Sequence, residues 1–459
     1  MPRFTALTAC LLLGACATAP AGPPPSGAGG AWIEPQAPGG VSDTWWTLFG
    51  DPQLVSLIDQ AVAGSPDLRA ADARLAEARA VRDVVHGAEG PQGGAEAAYS
   101  RNRLSANGQI PIGRIPGFRR DLSLFDAGFD ASWEVDLWGR NRAAARAAGD
   151  RTHAAESARR ETLLRLRAEV ARTYLTLRAA QARLDCARAD AAAQTALAVL
   201  VARRVAAGES ARGDLDRAES QARAASGGVP TLEADEREAA YALARLLGRP
   251  PEAVAATLLI HRPIPIPPTL FGAGLRSDVL RRRPDVAQAE AQLAAARADI
   301  RVARADLFPR LYLSGLLGQQ SQSLGDIAQA ASTRFQAGPQ VSWPILQRGA
   351  IKANIRAAGA RADGAAATYE AAVFAALADS ETALNRAART SAALREAERS
   401  AQAARDGLGL VERRHAAGED DLSVVLVARS SLAQAERRLA DARLGAAVAV
   451  VAAFKALGV

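Results

Sequence analysis

The sequence predicts a mainly α-helical chain that carries four β-strands and consists of two copies of one unit. The stretch VARRVAAGES, residues 201–210, returns as VERRHAAGED, residues 411–420, with seven of ten positions identical. At this offset of 210 residues ASWEVDLWGR (131–140) returns as VSWPILQRGA (341–350), and SPDLRAADARLAEARA (65–80) aligns with RPDVAQAEAQLAAARA (283–298) at an offset of 218. A unit of about 180 residues is far longer than a solenoid repeat of about 20–50 residues, so we interpret it as a duplicated domain.

The composition favours thin, closely packed helices. Hydrophobic residues make up 49% of the 459 residues, but aromatic residues only 5%, which is low for a large globular core. The formal net charge is +7, and the arginines are interleaved with Asp and Glu along the predicted helices. Because few aromatic side chains lie among them to stack on bases, we interpret these charges as a solvated helical surface and expect no nucleic-acid partner.

The N-terminus has the pattern of an export signal. One Arg is followed by an apolar stretch, residues 4–15, which is too short to span a bilayer but fits a secretory signal peptide. The stretch ends in Leu13-Gly14-Ala15-Cys16, which resembles the lipobox of bacterial lipoproteins and predicts a lipid on Cys16; the alternative is an ordinary signal with a chance Cys. Ala17 in place of Asp favours the outer membrane by the same resemblance, and the Pro- and Gly-rich residues 17–42 predict a flexible tether.

Each unit begins with a helix and continues with a β-hairpin. Pro66 and Pro284 suit the first turn of a helix, and apolar residues spaced by seven follow in the second copy, as in a coiled coil. They are Val286, Leu293, Ile300 and Leu307. Apolar residues then alternate with polar ones, which predicts strands with one apolar face. They are Phe125, Ala127, Phe129, Ala131 and Trp133 in the first copy and Phe335, Ala337, Pro339, Val341 and Trp343 in the second. Partner strands are predicted at 92–103 and 310–320.

A long helical hairpin closes each unit. Residues 141–206 contain no Pro, and leucine or valine recurs every seven residues at 163, 170, 177 and 184. An unbroken helix of this length would span about 100 Å. The first copy is predicted to turn at Gly208 and return through 214–247; the second runs through 350–416, turns at Gly418 and returns through 422–455, because Gly suits the left-handed end of a helix.

Four strands cannot close a barrel by themselves. Membrane barrels need about eight or more strands, because an open edge in lipid leaves backbone groups unpaired. The aromatic side chains of Trp133, Trp343, Phe125 and Phe335 suit a lipid interface. We therefore predict that three chains close a twelve-stranded barrel, which a long α-helical barrel of six quasi-equivalent units continues. The alternative is that the hairpins cover the edge of a soluble domain.

Several stretches make the chain similar to a known family. They are WWTLFGDPQLVSLIDQAV (45–62), AYALARLLGRPP (240–251), RRRPDVAQAEAQLAAARADIRVARADLFPRLYLSG (281–315) and AGEDDLSVVLVARSSLAQAERRLADA (417–442). They resemble TolC-type outer-membrane efflux channels, in the lipoprotein group called NodT- or OprM-like. The resemblance implies a homotrimer in outer-membrane lipid, a periplasmic membrane-fusion adapter, an inner-membrane RND-type pump and passive export of drugs or other small molecules. A type I protein-secretion channel and a periplasmic adapter or scaffold lipoprotein are the alternatives.

The same resemblance places the periplasmic gate at the hairpin tips. Relatives carry two pore aspartates six and nine residues after the second turn Gly, where this chain has Val424 and Val427, so we expect an apolar constriction that gates by dewetting. Asp214 matches the family's tip Asp, but Asp420 replaces its Arg. The candidate residues for substitute ion pairs are Arg203, Arg204, Arg413, Arg414, Glu209, Glu419, Asp420 and Asp421. The alternative is that these charges only solvate the tip.

No motif predicts an enzyme. The four histidines, at 86, 153, 261 and 415, lie far apart, and neither HExxH, a P-loop nor GxSxG occurs. No cofactor or metal is expected besides the lipid on Cys16. The predicted organisation is a signal peptide (1–15), a lipidated N-terminus and linker (16–42), an equatorial helical segment (43–64), repeat 1 (65–248), an inter-repeat equatorial segment (249–283) and repeat 2 (284–459).

Overall fold

The structure, a computed structural model, describes residues 30–34, 42–105, 119–268 and 272–459. The predicted signal peptide, Cys16 and most of the tether lie outside these ranges, so their roles stay predictions. Within the described ranges, no helix combines the length and the apolar character that a membrane-spanning helix needs.

The two halves of the chain carry the same order of elements. A 3-10 turn at Trp45–Phe49 and helix α1 (Pro52–Gly64) come first. The first half consists of α2 (Pro66–Gly87), β1 (Gln92–Arg103), β2 (Asp121–Val135), α3 (Arg140–Ala206) and α4 (Arg212–Leu246). Two short helices follow, α5 (Glu252–Leu258) and α6 (Arg276–Arg282). The second half consists of α7 (Pro284–Ala305), β3 (Arg310–Ser321), β4 (Thr333–Ser342), α8 (Arg348–Ala416) and α9 (Leu422–Ala456). The predicted strands and long helices are thus confirmed to within a few residues.

Local chemistry sets the ends of these helices. The side chain of Asp51 caps α1, because its carboxylate accepts a hydrogen bond of 2.7 Å from the amide of Gln53. The turns after α3 and α8 place Gly208 at φ +78° and Gly418 at φ +80°. A side chain on Cβ disfavours this left-handed conformation, so Gly is the suitable residue at both turns.

The strands form one antiparallel sheet in the order β1-β2-β3-β4. The register pairs Tyr99 with Phe125 and Phe129 with Leu317, and side chains two residues apart share a face. All the apolar positions that the sequence predicts therefore lie on one face. The other face carries charged and amide side chains with several glycines. They are Gln92, Gly94, Glu96, Asp126, Gly128, Asp130, Gly318, Gln320, Arg334 and Gln336.

On the polar face an arginine reaches across a whole strand. Nη2 of Arg334 on β4 contacts Oδ1 of Asp126 on β2 at 2.6 Å, and Nε2 of Gln320 donates to Oδ2 of the same carboxylate at 2.7 Å. Gly318 lies on β3 between them, directly opposite Gly128. The missing side chain leaves the room through which the arginine passes, and it lets β2 and β3 approach closely.

We expect Gly318→Val to disrupt the sheet. A Cβ at this position would lie 2.7 Å from the carbonyl oxygen of Ala127 and 2.9 Å from Cα of Gly128, both rigid backbone atoms. Overpacking of this kind costs about 1–3 kcal/mol of folding free energy. Gly338→Val on β4 is the matched control, because a Cβ there meets nothing within 4 Å. The measurement is the yield of folded protein and its unfolding temperature, and equal values for the two variants would contradict the prediction.

The main hydrophobic core lies where short segments cross the middle of the long helices. We call residues 45–64 and 252–282 the belt, of which residues 269–271 lie outside the described part. Trp45 is fully buried, stacks on Phe454 of α9 at 5.3 Å between ring centroids, and donates from Nε1 to the carbonyl oxygen of Val459 at 3.1 Å. Most of the buried residues of the belt belong to one core cluster with residues of α3, α4 and α9, so the belt packs against both halves of the chain.

A buried arginine on α3 donates hydrogen bonds to the belt. Arg178 is 0% exposed, and its guanidinium lies 4.8 Å from the ring centroid of Tyr174. Nη1 donates to Gln181 Oε1 at 2.5 Å and to the carbonyl oxygen of Ile260 at 2.8 Å, and Nη2 donates to Gln53 Oε1 at 2.8 Å. This one side chain therefore joins α1, α3 and the segment after α5.

Candidate channel wall and periplasmic tip

The apolar face of the sheet ends in tryptophans beside the helices. Nε1 of Trp133 donates to the carbonyl oxygen of Glu89 at 2.9 Å, and Nε1 of Trp343 donates to that of Leu307 at 3.2 Å. Further along the same face, Phe129 is 70% exposed and Phe335 is 81% exposed, while Phe125 packs against Tyr99 at 4.8 Å. Such a face, with the indole nitrogens satisfied at one end, has the chemistry of a lipid-contacting surface.

The opposite face has the chemistry of an aqueous channel wall. Asp126 is neutralised by Arg334, whereas Glu96 and Asp130 lie on the same face of β1 and β2. Most charged and amide side chains of the strands therefore lie on this face, together with Leu124 and Leu316, whereas the apolar positions predicted from the sequence lie on the other face.

The second hairpin tip contains a compact ion-pair cluster. Nη2 of Arg414 lies 3.1 Å from Oδ1 of Asp420, and Nε lies 3.4 Å from Oε2 of Glu419. The imidazole Nδ1 of His415 lies 2.8 Å from the carbonyl oxygen of Asp420. The carboxylate of Asp420 is only 13% exposed. Arg414 therefore holds the turn between α8 and α9 in place.

An ion pair joins the tips of the two helical hairpins. Nη2 of Arg204, at the end of α3, contacts Oδ2 of Asp421, 217 residues away. The other oxygen of Asp421 accepts a hydrogen bond of 2.8 Å from the amide of Ser423 and so caps α9. Asp421 therefore has two roles, of which the sequence indicated only the ion pair.

The other predicted tip charges are arranged differently. The structure gives Arg203, Glu209 and Arg413 no ion pair among the residues it describes. Their role in such a pair has no support within this chain. Asp214 lies 3.7 Å from Arg217 on the same helix, so it does not link the two hairpins within one chain.

The two tips differ in polarity on their return helices. Val424 is 42% exposed and Val427 is 53% exposed. At the corresponding positions of the first copy, 210 residues earlier, the chain has Asp214 and Arg217. The start of the return helix is thus charged in the first hairpin and apolar at these two positions in the second, although the turn of the second hairpin also carries charges.

Groups with possible chemical reactivity are few in the described part of the chain. No cluster of three or more His, Cys, Asp or Glu is placed there to hold a metal ion. Burial, together with the carboxylates of Glu436 and Asp185, raises the pKa of the Cys186 thiol to about 11. The thiol is therefore protonated at neutral pH and is a packing group.

A polar cluster around Arg178 is absent from the predictions made from the sequence. Nε2 of Gln181 donates to Oε1 of Glu236 at 2.9 Å, and His261 lies between Glu236 and Asp185, at 3.1 Å and 3.0 Å. Burial first, and then the hydrogen bond to Asp51, raises the pKa of Tyr174 to about 12. No local pattern signals this cluster, because its members come from four separate segments.

Two halves with one order of elements, a two-faced sheet and long helical hairpins are the architecture of an outer-membrane duct. The chain matches the profile of the outer membrane efflux protein family over residues 57–249 and 275–459, and it belongs to that family. It is 33% identical over 463 residues to the pyoverdine export outer membrane protein OpmQ of Pseudomonas aeruginosa. This alignment covers 100% of this chain and 97% of the relative. It is also 30% identical over 473 residues to the outer membrane protein OprJ of the same species, over 100% of this chain and 96% of the relative.

A solved structure has the same fold. The outer-membrane channel OprN superposes with a TM-score of 0.83 at 33% sequence identity, over 94% of this chain and 95% of that one. The prediction of a TolC-type efflux channel of the Gram-negative outer membrane is therefore confirmed.

Proposed function

We propose that this protein is the outer-membrane duct of a tripartite efflux system and works as a homotrimer. The observation that carries the proposal is a four-stranded sheet with one apolar and one polar face, joined directly to helices of 67 and 69 residues. Strands β1 and β4 are its edges, and a free edge in lipid is too costly to persist. Three copies, pairing β4 of one with β1 of the next, close a twelve-stranded barrel.

The helical hairpins continue the barrel into the periplasm. A helix of 67 residues is about 100 Å long, and the heptad spacing favours packing side by side. The two family matches, 57–249 and 275–459, correspond closely to the two units 65–248 and 284–459, which supports an origin by duplication. Six quasi-equivalent hairpins then surround one conduit.

The tips form the periplasmic gate in this proposal. Val424 and Val427 from three chains face the axis and make an apolar constriction, which excludes ions by dewetting. The cluster of Arg414, Glu419 and Asp420 and the link from Arg204 to Asp421 hold the closed arrangement. The periplasmic adapter docks on the turns at Gly208 and Gly418 and on the charged start of α4, which includes Asp214. Through this adapter an inner-membrane pump delivers its substrates.

The chain supplies passage and no chemical step. Its substrates are small molecules that the pump selects, and the pyoverdine export protein OpmQ is one relative whose name states its cargo. A lipid on Cys16 anchors the N-terminus in the outer membrane, because two or more acyl chains give a stable anchor.

We expect the protein extracted from outer membranes in detergent to have the native mass of a trimer of lipid-carrying chains that begin at Cys16. Cys16→Ala should lose the lipid mass but keep the trimer, since the barrel is closed by strand pairing.

A strain without the protein should become sensitive to pump substrates, and plasmid expression should restore resistance. An unlipidated soluble monomer would contradict the duct and favour the periplasmic scaffold.

A further inference from the structure

Arginines gather at the loop end of the first β-hairpin. We call Arg101, Arg103, Arg119 and Arg120 the arginine rim. Arg101, Arg103 and Arg119 are exposed and Arg120 is half-buried. Nε of Arg103 lies 3.9 Å from Oδ1 of Asp121, the one carboxylate in ion-pair range of the rim among the described residues. Nε of Arg120 donates to the carbonyl oxygen of Leu104 at 3.1 Å. The rim thus carries an excess of positive charge.

The register places two of these arginines on the apolar face of the sheet. Tyr99 pairs with Phe125, Arg101 with Ser123 and Arg103 with Asp121, and alternate residues of a strand share a face. On this face, Arg101 and Arg103 lie farther from the helices than the aromatic pair of Tyr99 and Phe125.

The spacing matches the height of an outer-membrane barrel. Trp133 and Phe125 are eight residues apart on β2, which is about 27 Å along the strand. A strand tilt of about 40° reduces this to about 20 Å across the membrane, close to the apolar band of about 25 Å between two aromatic girdles. The arginines therefore lie beyond the girdle that is farther from the periplasmic helices, at the level of the outer-leaflet headgroups.

The second β-hairpin has no arginines at the corresponding positions, so the fold does not require them there. At the positions equivalent to Arg101 and Arg103, 218 residues later, β3 has Gln319 and Ser321. Thr333 lies opposite Gln319 on the same face. The positive charge is therefore specific to the first hairpin and would occur three times around a trimer.

We propose that the arginine rim binds the phosphate groups of lipid A, the phosphorylated glycolipid of the outer leaflet. The proposal rests on the proposed function, because it needs the apolar face in lipid and the helices in the periplasm. Guanidinium groups match phosphate oxygens with paired, charge-assisted hydrogen bonds. A bare arginine on a lipid-facing strand is unfavourable unless it lies at the interface with a partner, and the lipid A phosphates supply that partner at this level.

The test compares lipid binding by detergent-extracted full-length protein. The probe is bis-phosphorylated lipid A, followed by native mass spectrometry, with dephosphorylated lipid A as the chemical control. Arg101→Gln/Arg103→Gln should lower the affinity for the phosphorylated probe about tenfold or more. Gln319→Ala/Ser321→Ala, at the same level of the second hairpin, is the matched control and should leave it unchanged.

A gain-of-function variant completes the test. Gln319→Arg/Ser321→Arg should raise the number of tightly bound lipid A molecules per trimer. Undiminished binding by the Arg101→Gln/Arg103→Gln variant would overturn the proposal, and so would equal competition by phosphatidylglycerol or inorganic phosphate, which would show attraction for any anion. Trimer mass and single-channel conductance should stay the same in all variants. A soluble monomer would contradict the proposed function, whereas a conducting trimer whose Arg101→Gln/Arg103→Gln variant binds lipid A undiminished would contradict the rim alone.

Discussion

Cells that carry Asp420→Arg are expected to leak and to become sensitive to vancomycin, which an intact outer membrane excludes. The substitution removes the carboxylate that lies 3.1 Å from Arg414 and places a second cation beside the same guanidinium. Asp420 is mostly buried by the turn, with 13% of its side chain exposed, but Arg414 is half exposed. We therefore expect a loss of about 1–2 kcal/mol for the closed tip.

A loss of this size raises the open fraction of a closed gate about tenfold. The measurement is the minimal inhibitory concentration of vancomycin together with single-channel conductance of the purified protein. The equivalent position in the first copy is Ser210, 210 residues earlier. Ser210→Arg is the control, because it places the same cation at a tip without removing a carboxylate or an ion pair; its net charge change is +1, whereas that of Asp420→Arg is +2. Equal leakage from the two variants would show that charge at the tip matters and the contact between Arg414 and Asp420 does not.

Arg178→Ala is expected to lower the stability of the protein by weakening the packing of the belt against the long helices. The substitution removes the donors that bind Gln53, Gln181 and the carbonyl oxygen of Ile260. It leaves Oε1 of Gln181, a residue that is 1% exposed, without its charged donor. Leaving a buried acceptor without its hydrogen bond lowers the free energy of unfolding by about 1–3 kcal/mol.

The measurement is denaturant unfolding, with hydrogen exchange to locate the change. Amides of residues 258–264 should exchange faster in the Arg178→Ala variant, while those of the hairpin tips should not. Arg188→Ala is the control on the same helix, because its pair with Glu233 is about half exposed and contributes only about 0–1 kcal/mol. An unfolding midpoint shared by both variants would contradict a role for Arg178 in holding the belt.

The elements and their order could be predicted from the amino-acid sequence alone. Alternation of apolar residues located β2 and β4, heptad spacing located α3 and α7, and Gly208 and Gly418 marked the two turns, which have the left-handed geometry that Gly favours. These signals are local, since a strand or a helix shows its period within a few residues of the chain. The internal repeat was equally visible, because Trp133 recurs as Trp343 at the same offset as the two turn glycines.

Which charged side chains contact each other could not be predicted from the sequence. Of the tip arginines, Arg204 and Arg414 form ion pairs and Arg203 and Arg413 do not among the described residues, although the sequence presents both pairs identically. The reach of Arg334 across Gly318 to Asp126 and the burial of Arg178 also depend on segments far apart in the chain. The physical reason is that a period records which face of an element is apolar, whereas a contact between two elements depends on their packing in space.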